Sequence, residues 1–463
     1  MIKFYNTIKR KKEDFKTIKS NKVGLYTCGP TVYDYAHIGN FRAYMFEDLL
    51  RRFLEFSGYE VYHVMNITDI DDKTIKKANV EKVPLLEVTE KYTKFFHEDV
   101  KVLNILPAHN YPKATNYVGK MIELIKVLED KGYAYKTRDG SVFFKISKYL
   151  DYGKLANINP NSQKVGKRVE NDEYEKEEAR DFALWKARKV EDGAIFWNSP
   201  WGEGRPGWHL ECSAMSMDLL GDHFDIHCGG VDNIFPHHEN EIAQSCAANE
   251  CKFVNYWLHN KHLLVDGQKM SKSLGNFYKI KDIVNKGYSA ESIRYTLIST
   301  HYRQELNFTL DKLKASQKAI NRLRELNRRL SVVSKRTKGD ITEKCKKMII
   351  DFQQELSNDL NISGALGKLF TWANEIFRLL DLEKVSKSSA LTAIDVISKI
   401  DSILGVVGFN AEVLSDDVEL LIEERNKARK EKNWQKADHI RKELENSGII
   451  LDDTPGGTIW KRK

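Results

Sequence analysis

From Val23 to Leu103 the chain alternates short β-favouring runs with long amphipathic ones, and that alternation leaves few folds open to it. Val23 to Thr27 reads as a strand, about Phe41 to Ser57 as a helix, Glu60 to Asn66 as a second strand, and the stretch through Thr89 to Leu103 as another helix. Strands joined by helix-sized crossovers pair in parallel, so the pattern predicts an α/β protein with a doubly wound parallel sheet. Such sheets take nucleotides at the carboxyl ends of their strands. His37-Ile38-Gly39-Asn40 falls at one such end, and Asn66-Ile67-Thr68-Asp69-Ile70-Asp71-Asp72 follows another.

At 463 residues the chain exceeds one ordinary core, and two to four units are expected. The first occupies residues 1–110 and resumes at 207–265, where Trp208 to Met217, Phe224 to Cys228, Glu239 to Ala248 and Phe253 to Leu264 repeat the alternation. Residues 111–206 read as an insertion, with a helix and a hairpin-like stretch turning at Asp139-Gly140. Residues 266–310 carry a lysine-bearing loop. Residues 311–409 have helical period throughout, with Leu313, Ile320, Leu323, Leu326 and Leu330 on one stripe and Met348, Ile349, Phe352, Leu356 and Leu360 on another, which predicts a bundle. Residues 410–463 combine a basic helix, Leu420 to Asn446, with a terminal segment that fits a small hairpin.

The net charge of +8 is concentrated. Residues 311–338 hold ten Lys and Arg against two acids, and 425–463 hold eleven against six, which suits a polyanionic partner. In the tail, Trp434 and Trp460 accompany the cations, a combination suited to unpaired RNA bases. The six cysteines have no regular short spacing, and no apolar run approaches a membrane span, so a reduced, cytoplasmic protein without membrane contact is expected.

Two elements supply what triphosphate chemistry needs. His37 stands beside Gly39, where a missing side chain lets backbone approach a ligand. Lys269-Met270-Ser271-Lys272-Ser273 puts two ammonium groups on a loop flanked by Gly267 and Gly275. A second set is Cys28, Cys212, His237 and Glu241. Pro236 fits the first turn of a helix, which puts His237 and Glu241 four residues apart on one face, a workable spacing for two ligands of one metal. Free cysteine is more often a small buried hydrophobe, so spacing alone leaves the metal open; His238 and Cys228 are rival ligands.

In this order the two phosphate elements resemble the HIGH and KMSKS signatures of class I aminoacyl-tRNA synthetases. The strings from Thr27 to Asp34, from Asn66 to Lys73, from Gly207 to Met215 and from Phe235 to Glu241 resemble those of the cysteinyl-tRNA synthetases, and the likeness runs from about residue 20 to Trp460. It implies a Rossmann-like catalytic domain with an insertion, a helical bundle and a small C-terminal anticodon-binding domain. It also implies ligation of L-cysteine to tRNA(Cys), with ATP and Mg²⁺ as substrate and accompanying metal, in a monomer. The family's zinc ligands fall on Cys28, Cys212, His237 and Glu241. Catalysis would rest on His37, Lys269 and Lys272; ATP contacts would fall on His37, Gly39, Asn40, Gly229, Gly230, Asp232 and Lys272; and cysteine would meet Cys28, Thr68, Trp208 and His227. Asn40 departs from the signature's second histidine, since an amide donates to phosphate without carrying charge. Cys228 stands where many relatives have glycine.

Zinc also answers a physical problem. A shaped pocket separates near-isosteres such as cysteine and serine by only about 1–3 kcal/mol. A thiophilic metal prefers thiolate to hydroxyl by more.

Overall fold

The computed structural model describes residues 1–158, 181–270, 275–334, 337–408, 416–447, 449–454 and 457–462. The chain divides into two compact units: Met1–Ser316 with Gln354–Ser363, and Gln317–Gln353 with Gly364–Lys463.

In the first unit a hairpin, β1 (Lys3–Asn6) and β2 (Lys11–Asp14), precedes β3 (Lys22–Thr27), α1 (Ile38–Phe56), β4 (Glu60–Met65), α2 (Asp72–Glu81) and α3 (Leu85–Val102). Helix α4 (Val118–Asp130) leads into β5 (Ala134–Lys136), β6 (Val142–Phe144), β7 (Phe182–Ala187), β8 (Trp197–Ser199) and β9 (Gly202–Pro206), an antiparallel sheet ordered β5-β6-β7-β9-β8. Then α5 (Trp208–Leu220), β10 (Phe224–Gly230), α6 (Glu239–Asn249) and β11 (Val254–Asn260) complete the main sheet, all parallel and ordered β11-β10-β3-β4. The sheet thus joins strands more than 150 residues apart around the antiparallel one. On one of its faces Tyr26, Val64, Phe224 and Trp257 pack with residues of α4, α5 and α6.

Helix α1 is amphipathic at helical spacing: Phe41, Met45, Leu49 and Phe53 are all buried. Its start is fixed by Arg42, whose guanidinium donates to the carbonyls of Leu297, Thr300 and His301 and so satisfies the end of α8 (Ala290–Ile298). Beyond β11, β12 (Leu263–Val265) pairs with β13 (Gln268–Lys269) and with β14 (Leu306–Phe308), and α7 (Ile280–Asn285) lies between.

Helices α9 (Leu310–Ser331), α10 (Thr342–Ser357), α11 (Ile362–Asp381) and α12 (Lys387–Leu404) follow. Leu313, Ile320, Leu323, Leu326 and Leu330 are all buried, as are Met348, Phe352, Leu356 and Leu360; Ile349 is half-buried. In the second unit three of the arginines expected to face a polyanion have internal partners. Arg324 donates to Val407 O, Arg328 to Glu325 and Arg329 to Asp381.

The tail corrects one expectation. Instead of one basic helix over 420–446 there are two, α13 (Asp416–Lys430) and α14 (Trp434–Asn446), because Lys432 turns left-handed (φ 57°) and the Asn433 side chain caps α14 through Lys436 N. A terminal hairpin of β15 (Ile449–Thr454) and β16 (Gly457–Arg462) packs Leu451 and Trp460 against Ile440 and Leu444. Arg425, counted above among the tail cations, is buried and forks onto Asp453 at 2.7 and 2.8 Å, so it holds the fold. Trp434 is 56% exposed. The boundary expected near 410 and the Pro455-Gly456 turn lie outside the described residues. Among the described residues no helix is long and apolar enough to cross a membrane.

Candidate active site

His37 sits at the N-terminus of α1 and caps it. Its Nδ1 accepts from Asn40 N at 3.3 Å, while Asn40 Oδ1 accepts from His37 N at 3.0 Å, a reciprocal capping box. An Nδ1 that accepts from backbone leaves the proton of the neutral ring on Nε2, which makes Nε2 a donor. Asn40 therefore has a use that a charged imidazole at the same place would not supply. Gly39 is needed for space, since a Cβ there would stand 2.8 Å from Met270 Cε and 3.0 Å from the His37 ring.

The register of β3 against β10 sets Thr27 beside Cys228, so Cys28 lands beside the carboxyl end of β10, His227-Cys228-Gly229-Gly230. Helix α5 brings Cys212. A wide helical turn, Ile234–His238, brings His237 just ahead of α6, which begins at Glu239; Pro236 therefore precedes the α-helix and does not open it. His237 and Glu241 still meet, with Nε2 and Oε1 3.1 Å apart. The donor atoms of Cys28, Cys212, His237 and Glu241 all lie within 4.8 Å of one another. A second grouping, Cys28, His227, His238 and Glu241, is equally tight. Cys228 is in neither.

The chemistry of the first group suits zinc. Glu241 Oε1 is buried without a hydrogen bond and lies 3.1 Å from His237 Nε2, so the two atoms converge on one point as ligands of a single ion would. Burial presses the His237 imidazole down to about 3, so it is neutral, as a ligand must be, and burial lifts the Glu241 carboxyl to about 7. A hydrogen bond from Cys212 lowers the Cys28 thiol, but burial and Glu241 together leave it raised; Cys28 and burial hold the Cys212 thiol well above its usual range. A divalent cation would reverse both thiol shifts. Two thiols, an imidazole and a carboxylate are a set that four-coordinate zinc accepts. The second group is less available: His238 is held between Cys28 Sγ (3.3 Å) and His259 (2.8 Å), and His227 between Glu241 Oε2 (3.0 Å) and Cys228 O (3.2 Å).

A cavity of about 790 Å³ opens over this group. Cys28, Thr68, Trp208, Cys212 and His237 line it. His37, Gly39, Asn40, Gly229, Gly230, Asp232 and Lys269 line it as well, so both phosphate elements and the candidate metal group share one space. Trp208 stacks on His237 with centroids 4.4 Å apart, and Thr68 Oγ1 donates to the buried Glu211 at 3.1 Å. His227, expected at the amino acid's polar ends, does not line the cavity; it is fully buried, stacked on Trp257 and bonded to Glu241. Lys272 lies outside the described residues. The Asp69 to Asp72 acids are engaged elsewhere: Asp69 accepts from Thr115, Asp71 caps α2, and Asp72 pairs with Lys186 and Arg205.

Two neighbours escaped the sequence reading. His209 Nδ1 lies 3.0 Å from His237 Nδ1 and steadies that ring; its place beside Trp208 was the available signal. Glu47 lines the cavity from α1, fully buried with no geometrically close hydrogen bond, and burial, only partly opposed by the nearby Thr27 hydroxyl, lifts its pKa to about 8. A folded-state pKa raised this far makes stability fall as pH climbs from the unfolded value near 4.5 towards 8. Glu47→Gln, which cannot ionise, is therefore expected to match the parent at pH 4.5 and to exceed it by on the order of 3 kcal/mol at pH 8, read from denaturant midpoints.

Comparison with known proteins shows which family the chain resembles. Residues 14–318 match the family described as tRNA synthetases class I (C) catalytic domain, and residues 411–460 match the cysteinyl-tRNA ligase anticodon binding domain. The chain is 51% identical over 475 residues to the cysteine–tRNA ligase of Brachyspira hyodysenteriae, covering 100% of this chain and 99% of that one. It is 48% identical over 468 residues to that of Protochlamydia amoebophila, covering 100% and 98%. Among solved structures, methionyl-tRNA synthetase of Mycobacterium tuberculosis in complex with methionyl-adenylate superposes with a TM-score of 0.63 at 15% identity, over 83% of this chain and 92% of that one, a likeness of fold.

Proposed function

The chain belongs to the cysteine–tRNA ligases, class I aminoacyl-tRNA synthetases, and on that premise we propose which of its residues carry the ATP-dependent ligation of cysteine to tRNA(Cys). Cys28, Cys212, His237 and Glu241 hold one zinc, preferred over the second grouping because Cys28, Cys212 and His237 face the cavity that must admit the substrate. Held by these four side chains, zinc would supply a thiophilic Lewis acid, which favours a substrate thiolate over serine's hydroxyl. Trp208, stacked on His237, walls the small-thiol end, and Thr68 approaches the amino acid's polar groups. His227 and His209 act behind them: each contacts a ligand side chain and fixes its orientation.

Cysteine's carboxylate attacks the α-phosphate of ATP, giving cysteinyl-adenylate and releasing pyrophosphate, and a terminal ribose hydroxyl of the tRNA then takes the acyl group and releases AMP. Positioning and charge stabilisation supply the rate. His37 donates from Nε2 to the triphosphate, with its ring fixed by the cap from Asn40 N. Gly39, Asn40, Gly229 and Gly230 let ATP lie against backbone, and Asp232 accepts from ribose hydroxyls. Lys269 and Lys272 neutralise the departing pyrophosphate, which carries Mg²⁺. The tail cations other than Arg425, with exposed Trp434, meet the anticodon end of the tRNA.

One observation carries this reading: Cys28, Cys212 and His237, three members of a group completed by the buried Glu241, line the same cavity as both phosphate elements. X-ray absorption at the zinc edge tests it. Two sulfur neighbours are expected in the free protein and three after cysteine is added; an unchanged two would make the metal structural and remove it from substrate selection.

A further inference from the structure

The segment that follows the lysine loop is tied to the His37 turn by separate contacts of different kinds. Ile38 N donates to Tyr278 O at 2.9 Å. The Phe277 ring meets the His37 imidazole edge to face, with centroids 5.0 Å apart. Lys279 Nζ lies 4.0 Å over the Tyr35 ring, and Tyr35 is itself lodged against Tyr92 and Phe95 of α3 at 5.4 and 4.7 Å. Across the base of the loop, Asn276 Nδ2 donates to Lys269 O at 3.3 Å. Lys269 is therefore linked through Asn276 to the same short stretch that grips His37.

We propose that Lys279 and Phe277 are positioning residues that hold Lys269 in register with the His37 turn for adenylate formation, Lys279 acting through Tyr35 and Phe277 through His37. This rests on the roles proposed above for His37 and Lys269. The two phosphate elements come from segments about 230 residues apart in sequence, and their alignment must be fixed for both to meet one triphosphate. Backbone pairing alone brings β13 only to β12, an edge of a small sheet. The cation over Tyr35 adds an anchor that reaches α3, and the ring contact at His37 reaches α1. Lys279 is suited to a test because its backbone is held independently: Lys279 N donates to Asp282 Oδ2 at 3.1 Å and caps α7, so truncating the side chain leaves the turn in place. Tyr35 lines the main cavity, so the anchor sits beside the ligand space itself.

The experiment uses the full-length, zinc-replete protein and cysteine-dependent exchange of pyrophosphate into ATP. Lys279→Ala is expected to raise the KM for ATP about five-fold, the order that a partly exposed cation–π contact supplies, with the KM for cysteine unchanged. Lys279→Arg, which keeps a cation over the ring, should restore it, and Lys279→Met, which keeps only bulk, should not. Tyr35→Leu should reproduce the defect, and the double variant should be no worse than either single one. Native-state hydrogen exchange gives a readout apart from turnover: the Ile38 amide, bonded to Tyr278 O, should lose protection in Lys279→Ala. Equal changes in both KM values, additive effects of Lys279→Ala and Tyr35→Leu, rescue by methionine, or unchanged Ile38 protection would each overturn the proposal. Absence of exchange in the parent protein would count against the roles of His37 and Lys269, while Ile38 protection would still judge the anchor.

Discussion

Cys212→Ser is expected to raise the KM for cysteine by on the order of 100-fold, while the KM for ATP stays within about two-fold and bound zinc falls well below one per chain. Cys212 lies buried on α5 with its sulfur in the four-donor group, and serine there offers a hydroxyl that burial keeps protonated and that zinc binds weakly. The residues proposed above to meet ATP, chiefly His37, Gly39, Asn40, Gly229, Gly230 and Lys269, lie on other segments and keep their side chains, so the KM for ATP should be untouched. Steady-state exchange kinetics at varied cysteine and varied ATP, with metal analysis of the same preparation, check this. Equal rises in both KM values would mean that the metal only supports the fold.

The second large effect concerns the support beneath the site. Asp48 on α1 is fully buried and accepts from Leu106 N and Arg52 Nε, each at 2.8 Å, and from Arg294 of α8, itself 1% exposed. Asp48→Ala leaves the Arg294 guanidinium buried beside no carboxylate, and breaking a buried pair from one side costs about 3–5 kcal/mol. A lowered denaturant midpoint of that size is expected, larger than any effect on cysteine affinity. The pH dependence has a definite sign. Burial alone would raise the Asp48 carboxyl, but Arg294 and Arg52 outweigh it and hold its pKa below the ordinary value. A depressed folded-state pKa contributes stability above the unfolded value near 3.8, and that contribution is lost as pH falls through the folded one. The variant should therefore lack part of the parent's acid sensitivity, and parallel stability curves between pH 5 and 2 would contradict the assignment.

How much was legible in advance follows from which signals are local. Period-2 and period-3.6 patterns are written into consecutive residues, so the parallel sheet and the apolar stripes of α9 and α10 could be read directly. The break at Lys432-Asn433 could also have been read, since asparagine followed by a helical run is a cap signal, but the density of lysine and arginine on both sides masked it. Burial is not local. Nothing in the string around Arg425 distinguishes a cation facing RNA from one forked onto Asp453 across the terminal hairpin. The same holds for His227, whose neighbours in sequence resemble a ligand turn while its ring points at Glu241 and Trp257.

What the sequence determined by itself was the chemistry on offer: the alternation that builds a nucleotide-binding sheet, the paired phosphate elements, and the thiols, imidazoles and carboxylates from which a metal site can be made. Tertiary structure alone decided which of these meet. The parallel register of β3 against β10 carries Cys28 to the carboxyl end of β10, helices α5 and α6 deliver Cys212 and Glu241 to the same point, and Lys279 reaches Tyr35 across more than 240 residues of chain. Composition and periodicity fix the elements because each depends on neighbours a few residues away. Side-chain convergence depends on long-range strand pairing and packing, which no short window of residues records.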